Sequence, residues 1–130
     1  MKEQKEFVGN VRDLHVYRLA FDCAMEIFRL TKQFPKEEKY SLTDQMRRAS
    51  RSVCSNLAEG WYKRKYKAAF INKLTDSAEE ASEIITWLEF SLACEYIDKD
   101  LFGTLTLQYE QIIGQLITME IKADSFCKIP

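Results

Sequence analysis

A chain of 130 residues, 46% hydrophobic and 30% charged, is long enough to bury its own core, and its composition suits a globular protein and argues against disorder. The formal net charge of −1 hides an asymmetry: residues 1–67 carry 15 Lys/Arg against 9 Asp/Glu, and residues 68–130 carry 4 against 11. Either the two halves neutralise each other on folding, or a basic face stays free for an anionic partner.

The polar start MKEQKEFVGN suggests no signal peptide, and no apolar run approaches the roughly 20 residues that cross a bilayer. A cytoplasmic protein without membrane contact is expected. Cys23, Cys54, Cys94 and Cys127 are too widely spaced for a zinc site or a CxxC motif, so they are expected to stay thiols and to act as packing residues.

Spacings of three and four recur along the whole chain and strand-like alternation is missing. After a polar tail of about residues 1–12, the first helix is expected from an N-cap at Asp13 to about Phe34. Its inward stripe would be Tyr17, Ala20, Phe21, Ala24, Ile27, Phe28 and Thr31. Pro35 and the run KEEK end it. Ser41, with Asp44 three residues on, suggests a capping box for the second helix, whose apolar positions are Leu42, Met46, Ala49, Val53 and Leu57. Gly60 is placed to stop that helix at C′.

The third helix should run from about Lys65 to Tyr96, roughly 48 Å, on Phe70, Leu74, Ala78, Ala81, Ile85, Leu88 and Leu92. Asp98 or Asp100 can cap the fourth, which continues to about Ala123 before a short tail of residues 124–130. Its apolar surface, including Phe102, Tyr109, Ile113 and Ile117, is wider than one buried stripe requires, and these four residues are the candidate oligomer interface. Short connections make neighbours antiparallel. The expected fold is all-α, a single up-down-up-down four-helix bundle that self-associates.

The candidate functional residues lie on the second helix and in the turn after it. Arg47, Arg48 and Arg51 can pair with the carboxylates of Asp76, Glu79, Glu80 and Glu83 on the third helix, or can contact phosphate. In AEGWYKRKYKAAF, the cations Lys63, Arg64, Lys65 and Lys67 alternate with Trp61, Tyr62, Tyr66 and Phe70, a composition suited to phosphate contact and base stacking. The same residues also suit a charged turn, with cations at a helix C-terminus and rings on a packing stripe. Asn56 and Glu59 lie near the helix end, where Asn56 suits backbone groups.

No enzyme signature accompanies them. His15 is the sole histidine, so the paired Glu-x-x-His ligands of a di-metal bundle cannot form, and no P-loop, GxGxxG or nucleophile elbow occurs. No metal, cofactor or small-molecule substrate is expected.

The stretch DLHVYRLAFDCAMEIFRLTKQFPKEEKYSLTDQMRRASRSVCSNLAEG, followed by FINKLTDSAEEASEIITWL and EYID, resembles the four-helix bundle proteins encoded in intervening sequences of bacterial 23S ribosomal RNA genes. The likeness covers about residues 12–120. It implies a small non-enzymatic bundle that assembles as a homopentamer. A related branch, the accessory variability determinant of diversity-generating retroelements, implies RNA or DNA, or a reverse transcriptase, as possible partners. The family usually has proline where this chain has Cys54. It also usually has a Ser/Thr and an acidic residue where this chain has Tyr66 and Ala69, so the usual cap of the third helix is missing here.

Overall fold

The computed structural model describes residues 9–128. Four long helices follow in order: α1 (His15–Thr31), α2 (Leu42–Tyr62), α3 (Lys67–Ala93) and α4 (Lys99–Ile121), then a single short turn of helix, α5 (Ala123–Phe126). Two 3-10 turns, Val11–Asp13 and Lys36–Glu38, precede α1 and α2. No strand occurs among the described residues. Successive helices are antiparallel and pack in the cyclic order α1, α2, α3, α4, with α1 also against α4, so the up-down-up-down bundle is confirmed.

The core runs along the bundle axis through Ala20 and Ile27 of α1, Met46, Val53 and Leu57 of α2, Phe70, Leu74, Ile84 and Leu88 of α3, and Leu105, Ile112 and Leu116 of α4. Each large side chain buried this way contributes about 1.5–3 kcal/mol relative to leaving it exposed. Small residues fill the α2–α3 seam. The Ser77 hydroxyl donates to the Val53 carbonyl at 2.7 Å, satisfying a buried polar group across the two helices.

The stripes expected from spacing are displaced at several points. On α1 the buried line is Val16, Ala20, Cys23, Ile27 and Thr31, one position from the expected aromatic stripe, and Phe21 is exposed. On α3, Ser77, Ile84 and Ser91 are buried where Ala78, Ile85 and Leu92 were expected, while Phe70, Leu74, Ala81 and Leu88 hold. A 3.6-residue period leaves two adjacent positions almost equally inward, and neighbouring helices decide between them.

The helix ends differ from expectation in chemically instructive ways. Asp13 is not the cap of α1, which starts at His15, and Val11 is buried rather than part of a polar tail. Ser41 and Asp44 form no capping box. Glu38 Oε1 accepts from the Ser41 hydroxyl at 2.7 Å and from the Leu42 amide at 3.3 Å, while Oε2 accepts from the Tyr96 hydroxyl at 2.9 Å. The hydrogen bonds from Ser41 and Tyr96 hold the Glu38 carboxyl below the usual range, and the same bond pushes the Tyr96 phenol up to about 12. Asp98 does cap α4, accepting from the Leu101 amide at 2.8 Å.

α3 ends at Ala93, not Tyr96, in a left-handed closure. The Tyr96 amide reaches the Ser91 carbonyl and the Glu95 amide the Leu92 carbonyl, both at 2.9 Å, with Glu95 at φ 64°. Gly60 does not stop α2. It is buried inside the helix, where an added Cβ would lie 2.9 Å from Cβ of Lys73 and 3.5 Å from the Phe70 carbonyl oxygen. Its role is to let α2 and α3 approach.

Two thiols are core residues: burial pushes Cys23 up to about 12 and Cys54 up to about 11, so neither is a reactive thiolate. Cys94, by contrast, is exposed. Tyr109 is fully buried in the bundle, which removes it from the expected oligomer interface; the heptad-like spacing with Phe102 and Ile113 did not reveal that it points to the axis.

Glu95→Gly should raise stability by about 1 kcal/mol, because glycine adopts the left-handed closure without the side-chain penalty; thermal unfolding measures it. Gly60→Ala should lower stability although alanine favours helix by about 1 kcal/mol, since overpacking costs about 1–3 kcal/mol. Gly103→Ala, whose Cβ meets nothing within 4 Å, is the control expected to stabilise.

Candidate nucleic-acid interface

The antiparallel topology brings the start of α1, the α2–α3 turn and the end of α4 to one pole of the bundle. Trp61, near the end of α2, is its packing centre and is 6% exposed. Its indole Nε1 donates to the Gly9 carbonyl at 3.4 Å, and its ring meets Phe126 edge-on with centroids 5.9 Å apart. Phe126 also packs on Phe70, at 6.2 Å. Residues 9–12 and 124–126, expected as tail, are therefore docked on the same aromatic cluster. The structure of residues 1–8 and 129–130 lies outside the described residues.

The basic turn divides into cations engaged by the bundle and cations left at its surface. The Arg64 guanidinium lies 3.9 Å over the Trp61 ring, and its Nε donates to the Trp61 carbonyl at 2.9 Å. Lys67, in the first turn of α3, pairs with Asp124 of α5 at 2.6 Å. No side chain caps α3 at Tyr66, so Asp124 compensates a cation placed at the positive end of the helix dipole. Lys73 pairs with Glu59 at 2.8 Å. Lys63 and Lys65 are exposed, and among the described residues neither has a carboxylate within 4 Å. Tyr62 and Tyr66 are 90% and 64% exposed, so they belong to the surface and not to the packing stripe that holds Phe70.

The hydrogen bond from Lys67, and then its charge, hold the Asp124 carboxyl below the ordinary range, and Asp124 raises Lys67 in return. A depressed carboxylate gives stability present above its unfolded pKa and lost as pH falls through the folded one. A raised lysine gives stability lost only as pH rises through its folded pKa, so the pair persists across the neutral range. Both groups are solvent-exposed, and salt screens the pair.

The three arginines of α2 go elsewhere. Arg47 Nε donates to the Thr31 hydroxyl at 2.9 Å and Nη2 to the Phe28 carbonyl at 3.3 Å, with the guanidinium 4.9 Å over the Phe28 ring. It closes the C-terminus of α1, and among the described residues no carboxylate pairs with it, which corrects the expected pairing with α3. Arg48 pairs with Asp44 at 3.0 Å within its own helix. Arg51 is exposed and lines a groove between α1 and α2. None of the three pairs with Asp76, Glu79, Glu80 or Glu83, because α2 is rotated so that Arg47 and Arg51 face α1. Without those cations, burial and then the charges of Glu83, Glu79 and Asp76 raise the Glu80 carboxyl. Arg48 and Lys63 are also 15 residues apart on one helix line, about 22 Å, so the arginines and the turn do not form one site.

Topology instead adds cations that linear reading did not group. The pole formed by residues 9–18, 59–73 and 120–128 holds nine Lys/Arg against four Asp/Glu: Arg12, Arg18, Lys73, Lys122 and Lys128 join the four cations of the turn. The signal that could have found them is the alternation of helix direction, which puts the starts of odd helices beside the ends of even ones. From Leu74 to Ala93, α3 carries five carboxylates and no cation. The bundle is thus polarised, basic at one pole and acidic along one side.

Of the expected interface residues on α4, Phe102 and Ile113 are half-buried against the core and Ile117 is 47% exposed. Leu107 and Ile121 are exposed on the same outer strip, which was not singled out from sequence. Glu110 is the sole charged residue of α4 between Asp100 and Glu120. No helix among the described residues is long and apolar enough to cross a membrane, and no group of three or more His, Cys, Asp or Glu among them could hold a metal ion.

A four-helix bundle of this topology with a basic pole is a class that its relatives place more closely. The chain belongs to the 23S rRNA-intervening sequence protein family, which it matches over residues 12–118. It is similar to a protein of unknown function from the S23 ribosomal protein family of Bacteroides thetaiotaomicron, known from a crystal structure. The two share 28% identity with a TM-score of 0.73, covering 81% of this chain and 97% of that one. No curated protein matches the chain.

Arg47→Ala should lower stability by about 1–2 kcal/mol through loss of the α1 closure, and should leave polyanion binding within about twofold of wild type. Urea unfolding and heparin titration of the same protein measure the two effects separately.

Proposed function

We propose that this chain is a non-enzymatic, self-associating helical bundle that contacts nucleic acid through its basic pole. The observation that carries the reading is the excess of nine cations over four carboxylates at that pole, with Lys63 and Lys65 exposed beside Tyr62 and Tyr66. Exposed charge serves phosphate, and exposed rings tolerate any base. Self-association is supported by the outer strip of α4, where Leu107, Ile117 and Ile121 are exposed around a single charge. In a homopentamer, which the family resemblance implies, the pole would be repeated five times, and such repetition strengthens weak phosphate contacts. A nucleic-acid enzyme such as a reverse transcriptase would be a partner of the same electrostatic kind when bound to its template.

A second reading is a protein-docking scaffold with no nucleic-acid role. It is favoured by the internal use of Lys67 and Arg64, which shows that part of the basic turn serves the bundle itself.

Counterion release separates the two. Lys63→Gln with Lys65→Gln should flatten the slope of log affinity against log salt by about 1.5 for RNA, measured by fluorescence anisotropy. Asp124→Asn, which releases Lys67 from its pair, should steepen that slope by about 0.8. A wild-type protein whose binding ignores salt would remove the nucleic-acid reading. Loss of assembly in the double variant, seen by light scattering, would support the scaffold.

A further inference from the structure

Between α1 and α2 runs a surface groove of about 510 Å³, floored by apolar side chains that include Phe28 and Ala58. A second hollow of about 330 Å³ adjoins it and shares Arg12, Tyr17 and Phe21 with it. Tyr17 and Phe21 stack with ring centroids 6.3 Å apart and planes 29° from parallel. Phe21 is 49% exposed, a large ring face open to solvent in the first third of the chain.

The rim is cationic. The Arg12 guanidinium lies 5.6 Å from the Tyr17 ring centroid. Arg18 Nη1 donates to the Arg12 and Asp13 carbonyls at 3.4 and 2.8 Å, which fixes its guanidinium beside the smaller hollow. Arg51 reaches the groove from α2, and among the described residues it has no carboxylate within 4 Å. Of the two carboxylates in the lining, Glu59 is already paired with Lys73 and Asp22 stands alone against three arginines. Arg12 and Arg18 belong to the basic pole as well, so the groove opens beside that pole.

Width decides what can use this surface. Packed helices lie about 8–10 Å apart, so the groove between them admits a flat ring but not a duplex, whose bases stay stacked inside the helix. An unpaired base brings a π-face for Phe21 and Tyr17 and a phosphate for the arginines. A docking helix from another protein would gain from the rings but would have to answer three cations with carboxylates.

We infer that the α1–α2 groove is a stacking site for unpaired bases of single-stranded nucleic acid, with Phe21 and Tyr17 offering ring faces and Arg12 and Arg51 meeting the flanking phosphates. This rests on the nucleic-acid reading of the pole and extends it: the pole supplies charge, and the groove selects unpaired strands.

The test uses the full chain, a short fluorescein-labelled uridine-rich RNA strand and a labelled duplex of the same length, titrated across salt. Wild type should bind the single strand more tightly than the duplex. Phe21→Leu keeps apolar bulk and removes the π-face. It should weaken single-strand binding by about tenfold and leave duplex binding within about twofold. Arg51→Gln should flatten the single-strand salt slope by about 0.7. The inference is overturned if Phe21→Leu binds the single strand like wild type, or weakens both ligands equally. It is also overturned if Phe21→Ala dissociates the assembly while Phe21→Leu preserves both assembly and RNA binding, which would assign the groove to a protein. Wild type that binds neither ligand defeats the pole reading itself. Binding that depends on Lys63 and Lys65 but ignores Phe21→Leu defeats the groove alone.

Discussion

The bundle depends on how closely α2 and α3 pack beside Gly60. A missing Cβ there lets the two helices approach until Lys73 Cβ takes the space a methyl group would need, with the Phe70 carbonyl oxygen in van der Waals contact beyond it. That approach sets the depth at which Trp61 enters the bundle, and Trp61 in turn gathers Gly9, Arg64 and Phe126 around one ring. Both ends of the described chain are thus held by an indole whose position follows from a glycine one residue earlier. Larger side chains at position 60 would act on the whole pole, not only on one helix contact.

The same constraint accounts for the electrostatics. Once α2 and α3 are joined by a short turn at that pole, the cations of the turn must share the surface with the start of α1 and the end of α4. The fold meets part of the resulting repulsion internally. Asp124 takes Lys67, Glu59 takes Lys73, and the Trp61 face takes Arg64. These are mostly exposed contacts whose individual worth is small, since water and salt screen them. What remains, with Lys63 and Lys65 outermost, is a positive surface that the fold itself does not consume.

At the opposite end the chemistry is closed instead of open. Glu38 caps α2 and holds Tyr96, and Arg47 closes α1 through Thr31 and the Phe28 carbonyl. Polar groups there are spent on helix ends, where unsatisfied backbone donors and acceptors cost most. The contrast between a self-satisfied pole and a pole with surplus charge is the physical basis for placing function at the latter.

The sequence by itself determined the helical class, the four segments, their antiparallel order and most of α3's core, because apolar spacing and short connections are local properties. Asp98 was one of two caps the spacing offered for α4, and the packing role expected of all four cysteines holds for Cys23 and Cys54 but not for the exposed Cys94. Only the tertiary structure decided which neighbour of each inward position was buried, as with Ser77 over Ala78 and Tyr109 turned to the axis, because rotation about a helix axis is fixed by partners. It also decided that Arg47 serves α1 while Arg51 looks onto a groove, two fates that identical i,i+4 spacing could not separate. The basic turn was visible as a string of letters. The pole it belongs to joins residues more than a hundred positions apart, and only folding brings those charges within reach of one another.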